Sequence, residues 1–447
     1  MGIEEKLERA ARRAQAKGRV PALSVALRRD DRPLWTFQVG DAGPGKTLDD
    51  NTQFRLGSIT KTFTMVLVMQ CRDAGLLDLD DPIGEHLEGS GTRTIRDLLS
   101  HRSGIRREPA NYDWESTEAP SVDKILGELT AAEQVLPPQR RFHYSNLAFA
   151  ALGHLAARKR GGSWEEVLDE YILRPFGLKD TTVEARDTAA TGYLVDYYTD
   201  HARAELGEPM GGAAPAGQLW STPADASRWA AFLAHPDSLD PDGKILAAAT
   251  LAEARHPHIV RDEAKWNSAM GLGLMLENQG DRVYNVGHNG AMFGYLAAAF
   301  GRVGPDVPKG LGVATMGSSG TGGEAIDLAA ELLRLSAEED PADIPVWTIG
   351  EPAPAEYASI LGRWWSEGFG FDFHWRDGAL LARADGAPAD LPPSVFAPDG
   401  PDRMRTVSGR EAGELLELVR DDDGRVVKMY WATYPVLRER HTPLLGG

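Results

Sequence analysis

The beginning of the chain distributes charged and apolar positions in a way that predicts one helix followed by two strands. Residues 1–18 mix charged side chains with alanine, which is the pattern of an amphipathic helix. Two apolar runs follow, at residues 23–27 and 34–39, and the polar sequence 29–33 separates them. Apolar runs on either side of a polar turn predict a pair of strands.

The most apolar helical pattern of the chain lies at residues 59–74. Apolar side chains occupy almost every position from 63 to 69, so no face of this helix is polar. Gly75 suits the position just after a helix end, where the backbone turns left-handed. A helix that is apolar all round is a buried one, so this segment is predicted to lie at the centre of the domain.

Helical patterns dominate the middle of the chain, and strand patterns return after residue 280. Helices are predicted at residues 95–99, 146–159 and 164–173. Strands are predicted at residues 283–287, 294–300 and 311–316, before a closing helix at 323–335. Strands at both ends with helices between them predict an α/β lobe, closed by the two chain ends, with an all-helical lobe inserted in it.

The last quarter of the chain has a different character. Residues 337–356 are rich in proline and acidic residues, which is typical of a linker. Two hairpin signals follow, Asp377-Gly378 and Asp423-Gly424, each between strand-like runs. We therefore predict a catalytic domain at residues 1–340, a linker at 341–354 and a small all-β domain at 355–447, a barrel or lipocalin-like sheet.

Charge and composition narrow the function classes. The 447-residue chain has a formal net charge of −18 and no run rich in Lys or Arg, so nucleic acid and anionic membranes are not expected partners. Cys71 is the only cysteine, which excludes an intrachain disulfide. The first residues lack the pattern of a signal peptide, and no apolar run reaches the ~18 residues of a membrane span. We expect a soluble, cytoplasmic protein.

Ser58 and Lys61 are the first candidates for catalysis. Three residues apart on a helix, they share one face, and the amine can take the proton of the hydroxyl and so activate a nucleophile. Ser121 and Lys124 have the same spacing, near another predicted helix start. Ser58 precedes the buried helix whereas Ser121 begins a charged, surface-like one, and this context favours Ser58.

Lys61 acts as a base only when it is neutral, so its pKa must fall from about 10.4 through burial or a neighbouring cation. Tyr144 offers a partner that passes the proton between Ser58 and Lys61. Asn146 stands two residues further on and would point to the same side in an extended segment, where it could hold Lys61 or a substrate amide. The alternative is that Asn146 only caps the helix that follows it.

A third candidate group follows the predicted strand 283–287. His288 could donate to Tyr144 or to the departing group, and Gly290 lets the backbone approach a ligand. Asn289 is a further candidate for substrate contact. The backbone N–H groups of Ser58 and Ala291 could form an oxyanion hole. The alternative is that His288 is a structural histidine in a glycine-rich turn.

The three groups resemble, in order and rough spacing, those of class C β-lactamases, penicillin-binding proteins and related esterases. The resemblance covers residues 15–335 and includes the segments 98–104, 142–148, 175–178 and 217–223. It implies an acyl-enzyme on Ser58, with Lys61 and Tyr144 as proton relays. Asn146 positions the substrate, His288 supports the leaving-group side and Ala291 lends its N–H group. No metal or organic cofactor is implied.

One departure from the family pattern bears on the substrate. The third motif of these families is commonly Lys-Thr-Gly or His-x-Gly. This chain has His288 in place of the lysine, and a histidine is mostly neutral at pH 7. A lysine would attract a substrate carboxylate at every pH, whereas a neutral histidine would not. The histidine therefore disfavours a dedicated β-lactamase, whose substrates carry such a carboxylate, and is compatible with an esterase or a peptidase. Arg438 and Arg440 are expected to be surface cations, but one of them could bind such a carboxylate if the β domain folds over the cleft.

The sequence is compatible with three functions. The first is hydrolysis of an ester, an amide or a peptide containing D-amino acids. The second is transfer of a carrier-bound peptidyl group to an amine, as in the penicillin-binding-protein-type thioesterases, some of which have a C-terminal lipocalin-like domain. The third is a binding protein that kept the fold without catalysis. The expected partner is a small-molecule or peptide substrate. The exact substrate and the oligomeric state are not encoded in any pattern we recognise.

Overall fold

The computed structural model describes residues 2–88, 91–109, 119–205, 207, 209–344, 346–388 and 391–440. The chain divides into two units, Met1–Asp343 and Ile344–Gly447. No helix in the described ranges is both long enough and apolar enough to cross a bilayer.

The first unit is built around one large antiparallel sheet. Its strands are, in chain order, β1 (Ala22–Arg29), β2 (Arg32–Gly40), β3 (Phe54–Arg55), β4 (Tyr193–Val195), β5 (Ala202–Ala204), β6 (Trp220–Ser221), β7 (Ile259–Val260), β8 (Ser268–Met270), β9 (Met275–Gly280), β10 (Val283–Met292), β11 (Tyr295–Val303) and β12 (Gly312–Gly317). Eight of them form the sheet in the order β2-β1-β12-β11-β10-β9-β8-β7, while β3 pairs with β6 and β4 with β5.

Helices cover this sheet and fill the region between β3 and β7. They are α1 (Ile3–Gly18), α2 (Thr60–Asp73), α3 (Ile95–Leu99), α4 (Val122–Thr130), α5 (Asn146–Arg160), α6 (Trp164–Leu168), α7 (Arg174–Phe176), α8 (Pro223–Ala234), α9 (Pro236–Leu239), α10 (Ala248–Ala254) and α11 (Glu324–Glu339). The predicted α/β lobe with an inserted helical lobe is confirmed.

The two ends of the first unit meet in the sheet. Strand β1 pairs with β2 on one side and with β12 on the other, with Leu23 opposite Gly317. Helix α1 packs with α11 on the same face, where Leu7 and Leu328 share an apolar cluster with Val25. The strand pair predicted at residues 23–27 and 34–39 and the predicted closure by the chain ends are therefore both present.

Helix α2 lies at the centre of the first unit, as its apolar sequence predicts. Every residue from Thr60 to Met69 is buried. Phe63 stacks on Trp229 of α8, with ring centroids 4.0 Å apart and planes 9° from parallel. Burial of large side chains on several faces fixes both the axis and the rotation of α2. The residues at its start are held in place accordingly.

One local prediction was wrong. The sequence Gly287-His288-Asn289-Gly290 was expected to be a glycine-rich turn after a short strand, but it lies inside β10, which continues to Met292. The glycines serve close packing here. A Cβ at residue 290 would overlap the carbonyl oxygen of Leu56, and one at residue 287 would overlap that of Ala299. The strand therefore approaches the backbone just before Ser58.

The second unit is an eight-stranded antiparallel sheet in which each strand pairs with the next. Its strands are β13 (Gly362–Ser366), β14 (Phe369–Arg376), β15 (Ala379–Ala384), β16 (Ser394–Pro398), β17 (Arg403–Ser408), β18 (Leu415–Arg420), β19 (Val426–Trp431) and β20 (Tyr434–Val436). A bridge between Trp365 and Leu437 nearly closes it into a barrel. Both predicted Asp-Gly hairpins are present, and the lipocalin-like fold prediction is confirmed.

The interior of this barrel is filled by its own side chains. Trp364, Phe371, Phe373, Phe396 and Trp431 are all buried and belong to one apolar cluster. Phe396 and Trp431 have ring centroids 5.3 Å apart. Packed aromatic rings of this kind stabilise a small barrel in the way that an ordinary protein core does.

Candidate active site

Ser58 lies in a short 3-10 turn, Gly57–Ile59, that runs directly into α2. The turn begins with a left-handed residue, Gly57, whose φ is 53°. A Cβ at residue 57 would lie only 2.7 Å from the backbone nitrogen of Ala291 on β10. Glycine is thus required both by the backbone angle and by the close approach of β10. This contact brings the backbone at Ser58 and Ala291 together.

Lys61 lies one turn into α2 and is completely buried. Its Nζ is 3.1 Å from Ser58 Oγ and 2.6 Å from the carbonyl oxygen of Ala216, to which it donates. Burial lowers the pKa of Lys61 well below its usual value, the charge of Glu108 opposes this shift, and that of Arg107 adds to it. The amine is therefore set up to accept the proton of Ser58.

Tyr144 lies beside Lys61 and Ser58. The Nζ of Lys61 is 4.9 Å from the centre of the Tyr144 ring. The Tyr144 hydroxyl is buried next to Ser58, although no atom of the described residues meets hydrogen-bond geometry with it. Burial raises the pKa of Tyr144, so the residue is a neutral phenol at ordinary pH. Tyr144 can therefore pass a proton on, but it is not a phenolate in the resting site.

Asn146 is the first residue of α5 and does not cap it. The cap is Ser145, whose Oγ accepts a hydrogen bond of 3.1 Å from the backbone nitrogen of Ala148. The alternative reading of Asn146 as the helix cap is therefore wrong. The Asn146 side chain instead donates from Nδ2 to Oε1 of Glu108, at 2.5 Å. Among the described residues no group donates a hydrogen bond to its amide oxygen, which can therefore accept one from a substrate N–H group.

Glu108 is a residue of the site that sequence reasoning missed. Its side chain is 22% exposed, so part of the carboxylate faces outward. Burial raises the pKa of Glu108, while the hydrogen bond from Asn146 and the charges of Arg107 and Lys61 lower it. Glu108 belongs to a loop with no recognisable pattern, and only its proximity to Asn146 in space reveals it.

His288 is fully buried on β10, with its ring centre 6.1 Å from that of Tyr144. Its Nδ1 lies 2.5 Å from the carbonyl oxygen of Asn289. A carbonyl only accepts, so this contact assigns the ring proton to Nδ1 and leaves Nε2 as an acceptor, with no hydrogen-bond partner among the residues that the structure describes. Burial, with help from the Lys61 charge, lowers the pKa of His288 to about 3. The ring is neutral at physiological pH.

Ala291 and its neighbours line the edge of β10 nearest Ser58. Strand β9 pairs with β10 only up to Gly287, so no described strand covers that edge from His288 onward. Met292 and Tyr295 close the hairpin to β11, which places the pair Ala291–Leu296 in a position without ladder hydrogen bonds. The Ala291 N–H therefore points away from β11, as an oxyanion-hole donor must.

His101 is a second residue that sequence reasoning missed. It is buried, its φ is +56°, and its ring stacks on Tyr144 with centroids 4.3 Å apart. Its Nδ1 accepts a hydrogen bond of 3.1 Å from the backbone nitrogen of Ser145. His101 thus fixes both the ring of Tyr144 and the start of α5. The segment 98–104 was recognised as a family feature, but the spacing did not indicate which of its residues touches the site.

The segment that carries Ser58, Lys61, Tyr144 and His288 matches the model of a known family. Residues 7–336 fit the family model described as Beta-lactamase. The chain belongs to the β-lactamase family. Residues 353–438 match a second model, described as a domain of unknown function, DUF7586.

Individual relatives of this β-lactamase-family chain support the same fold. Beta-lactamase-like protein 2 of Dictyostelium discoideum is 28% identical over 281 residues, which are 57% of this chain and 46% of that protein. The chain spans about half the length of the first curated relatives that it matches. The structure of SurE has a TM-score of 0.63 and 22% identity, with 98% of this chain and 99% of SurE covered. SurE was also solved with D-Leu.

A third similar protein is the D-amino acid amidase of Ochrobactrum anthropi SV3, solved as a complex with L-phenylalanine amide. Its TM-score is 0.63 at 24% identity, and the match covers 75% of this chain and 99% of the amidase. At these identities the solved structures show the fold alone. The match to SurE covers almost the whole chain, so the likeness in fold also includes the second unit.

The remaining predicted residues of this β-lactamase-family chain have other surroundings. Ser121 caps α4, since its Oγ accepts a hydrogen bond from the backbone nitrogen of Lys124 at 3.1 Å. In the second unit, the Arg438 guanidinium lies 3.9 Å from the Trp364 ring centre and donates to the carbonyl oxygen of Arg363. Arg440 lies over Trp365. Substrate binding by Arg438 and Arg440 stays a prediction.

Proposed function

We propose that this protein is a serine hydrolase that forms a covalent acyl-enzyme on Ser58 and cleaves an amide, an ester or a peptide bond next to a D-amino acid. The observation that carries the proposal is the 3.1 Å separation of Lys61 Nζ from Ser58 Oγ on a buried helix face. Membership of the β-lactamase family supports the same chemistry. The D-amino acid amidase among the similar structures motivates the substrate class.

Acylation follows from the charge states of the site. Neutral Lys61, with Tyr144 beside it, takes the Ser58 proton as Oγ attacks the substrate carbonyl carbon. The developing oxyanion accepts hydrogen bonds from the N–H groups of Ser58 and Ala291. Collapse of this intermediate breaks the bond to the leaving group, which takes the proton through Tyr144. The acyl group then remains on Ser58.

Hydrolysis completes the cycle. A water molecule attacks the ester carbonyl, its proton passes to the Tyr144–Lys61 pair, and Ser58 leaves with a proton returned from that pair. Neutral His288 offers Nε2 as an acceptor next to Tyr144 and can orient the phenol between the two steps. Asn146, with its Nδ2 held by Glu108, presents its oxygen to the N–H group of the acyl residue.

The proposal is tested by intact-protein mass spectrometry. Wild-type protein and a Ser58→Ala variant are incubated with a fluorophosphonate, with D-phenylalanine amide and with a D-peptidyl thioester. We expect one fluorophosphonate adduct on the wild-type protein only, together with release of D-phenylalanine. An adduct that persists in Ser58→Ala places the nucleophile elsewhere and overturns the proposal.

A second candidate function is acyl transfer to an amine without water, as in peptide macrolactamisation. The barrel of the second unit favours it, because penicillin-binding-protein-type thioesterases with a lipocalin-like domain have this combination of domains. The net charge of −18 counts against a carrier protein as partner, because carrier proteins are usually acidic too. In the same experiment, a cyclic product from the D-peptidyl thioester favours transfer, whereas only a linear acid favours hydrolysis.

A further inference from the structure

The first unit has a cavity of about 450 Å³ that is separate from the Ser58 site. None of the site residues named above is among the described residues that line it. Trp164 at the start of α6, Trp220 on β6, Val183 and Ala214 contribute to its wall, so much of the wall is aromatic or apolar. A cavity of this size and composition is typical of a site for a small organic molecule.

Hydrogen bonds hold the wall of this cavity in place. Gln218, which lines it, donates from Nε2 to the carbonyl oxygen of Val183 at 2.9 Å. The Oε1 of Gln218 accepts a hydrogen bond of 2.8 Å from the backbone nitrogen of Met210. His154, a further lining residue, donates from Nε2 to the carbonyl oxygen of Gly212 at 2.7 Å. The cavity is therefore formed before any ligand enters.

The charged side chains that line the cavity in the described part of the chain are both carboxylates. Glu165 and Glu184 are exposed, and neither forms an ion pair with a described residue. No lysine or arginine is among the described lining residues. Burial lowers the pKa of His154, so its ring is neutral at physiological pH. Two carboxylates beside tryptophan rings attract a cation and repel an anion.

One segment of the wall also contacts the catalytic helix. The 3-10 segment Gly211–Ala216 contributes two residues to the cavity wall. Its Ala216 carbonyl oxygen accepts a hydrogen bond of 2.6 Å from Lys61 Nζ, and its Pro215 carbonyl oxygen accepts one of 2.8 Å from Thr64 Oγ1. A ligand in the cavity and the catalytic lysine would therefore contact the same short segment.

We propose that this cavity binds an organic cation, an amine with an apolar body, and that its occupancy changes the reactivity of Ser58. The apolar body packs against Trp164 and Trp220, and the ammonium group is held by the carboxylates of Glu165 and Glu184. The segment 211–216 couples the two sites, because any shift of the Ala216 carbonyl moves a hydrogen-bond partner of Lys61. This site lies outside the acyl-transfer chemistry proposed above.

Titration calorimetry with 2-phenylethylamine and 2-phenylethanol tests the binding, because these probes share an apolar body and differ in charge at pH 7. The amine should bind about fivefold more tightly or better, and the double variant Glu165→Gln/Glu184→Gln should lose this preference. Glu133→Gln, which removes an exposed carboxylate that does not line the cavity, should keep it. An amine that binds no better than the alcohol, or a preference that survives in the double variant, overturns the proposal.

Labelling of Ser58 tests the coupling and the location. The rate of fluorophosphonate labelling should change about fivefold with saturating 2-phenylethylamine in the wild-type protein, and not in the double variant at the same concentration. An unchanged rate at saturation overturns the coupling.

Labelled protein should still bind the amine. Binding that is lost on labelling places the amine at Ser58 and overturns the cavity assignment. No labelling of Ser58 at all overturns the proposed function itself, and the calorimetry then decides the cavity alone.

Discussion

Gly290 lies directly against Leu56, so that any side chain at residue 290 would overlap the Leu56 carbonyl oxygen. This contact joins β10 to the segment that ends in Ser58, and it sets the distance between the two predicted oxyanion donors. The two halves of the site, which are more than 200 residues apart in sequence, meet through backbone atoms here. The contact therefore requires glycine at residue 290, whatever side chains surround it.

The first prediction concerns this contact. Gly290→Ala should lower the free energy of unfolding by about 3 kcal/mol, because the added methyl group overpacks a backbone contact. It should also slow the labelling of Ser58. Gly127→Ala is the matched control, since a Cβ there meets nothing within 4 Å, and this helical position should gain up to about 1 kcal/mol. Urea unfolding measures both values. Equal stability of the two variants would contradict the packing account.

The second prediction concerns the buried neutral Lys61. A folded-state pKa below the unfolded value means that the unfolded chain binds more protons between the two pKa values, so this site makes stability rise with pH there. Lys61→Met should remove that contribution, which amounts to about 1.4 kcal/mol per pH unit at most. Urea unfolding between pH 7 and pH 9 measures the slopes. Identical slopes in the two proteins would show that Lys61 is charged in the folded state.

The third prediction concerns the hydroxyl of Tyr144. Tyr144→Phe should reduce kcat about 10²- to 10⁴-fold, the usual contribution of a positioned proton-transfer group. Stability should be equal or higher, because the substitution removes a buried hydroxyl that has no hydrogen-bond partner among the described residues. Steady-state kinetics and thermal unfolding of the same preparation give both results. A variant with full activity excludes Tyr144 from the proton relay.

The fourth prediction concerns the protonation state of His288. Because its folded-state pKa is about 3, the imidazole stays neutral as the pH falls from 8 to 4. The unfolded histidine takes up a proton near pH 6.5, so this site contributes stability at neutral pH that is lost between about pH 6.5 and pH 3. Nitrogen-15 NMR of labelled histidine should show a proton on Nδ1 and none on Nε2 at pH 7. A His288 titration near pH 6.5 would contradict this assignment.

Sequence patterns predicted most of the fold because its elements have strong local signals. The strongly apolar stretch of helix α2, the terminal strand pair and both Asp-Gly hairpins follow from side chains that are neighbours in sequence. The glycines of β10 led to the wrong prediction of a turn. They are required by close contacts with Leu56 and Ala299, which sequence spacing does not encode. Closely spaced glycines occur both in turns and inside tightly packed strands, so the sequence alone does not distinguish the two.

The residues of the site also form two groups: those with a local sequence signal and those without one. Ser58 and Lys61 were recognisable because one helical turn sets their spacing, and the ordered set of three groups pointed to Tyr144 and His288. Glu108 and His101 contribute through loops, where no period relates sequence to position. Their relevance depends on which residues they touch: Asn146 for Glu108, and Tyr144 for His101.

A neutral Lys61 activates Ser58 in the proposed mechanism, and the pH dependence of Ser58 labelling tests this most directly. The rate of fluorophosphonate adduct formation is measured by mass spectrometry from pH 5 to pH 10.5 on the folded protein. Because burial lowers the pKa of Lys61 well below its usual value, the rate should already have reached its plateau at pH 8. A rate that keeps rising to pH 10 and beyond, with no plateau, would show that Lys61 titrates as an ordinary lysine and would contradict the account.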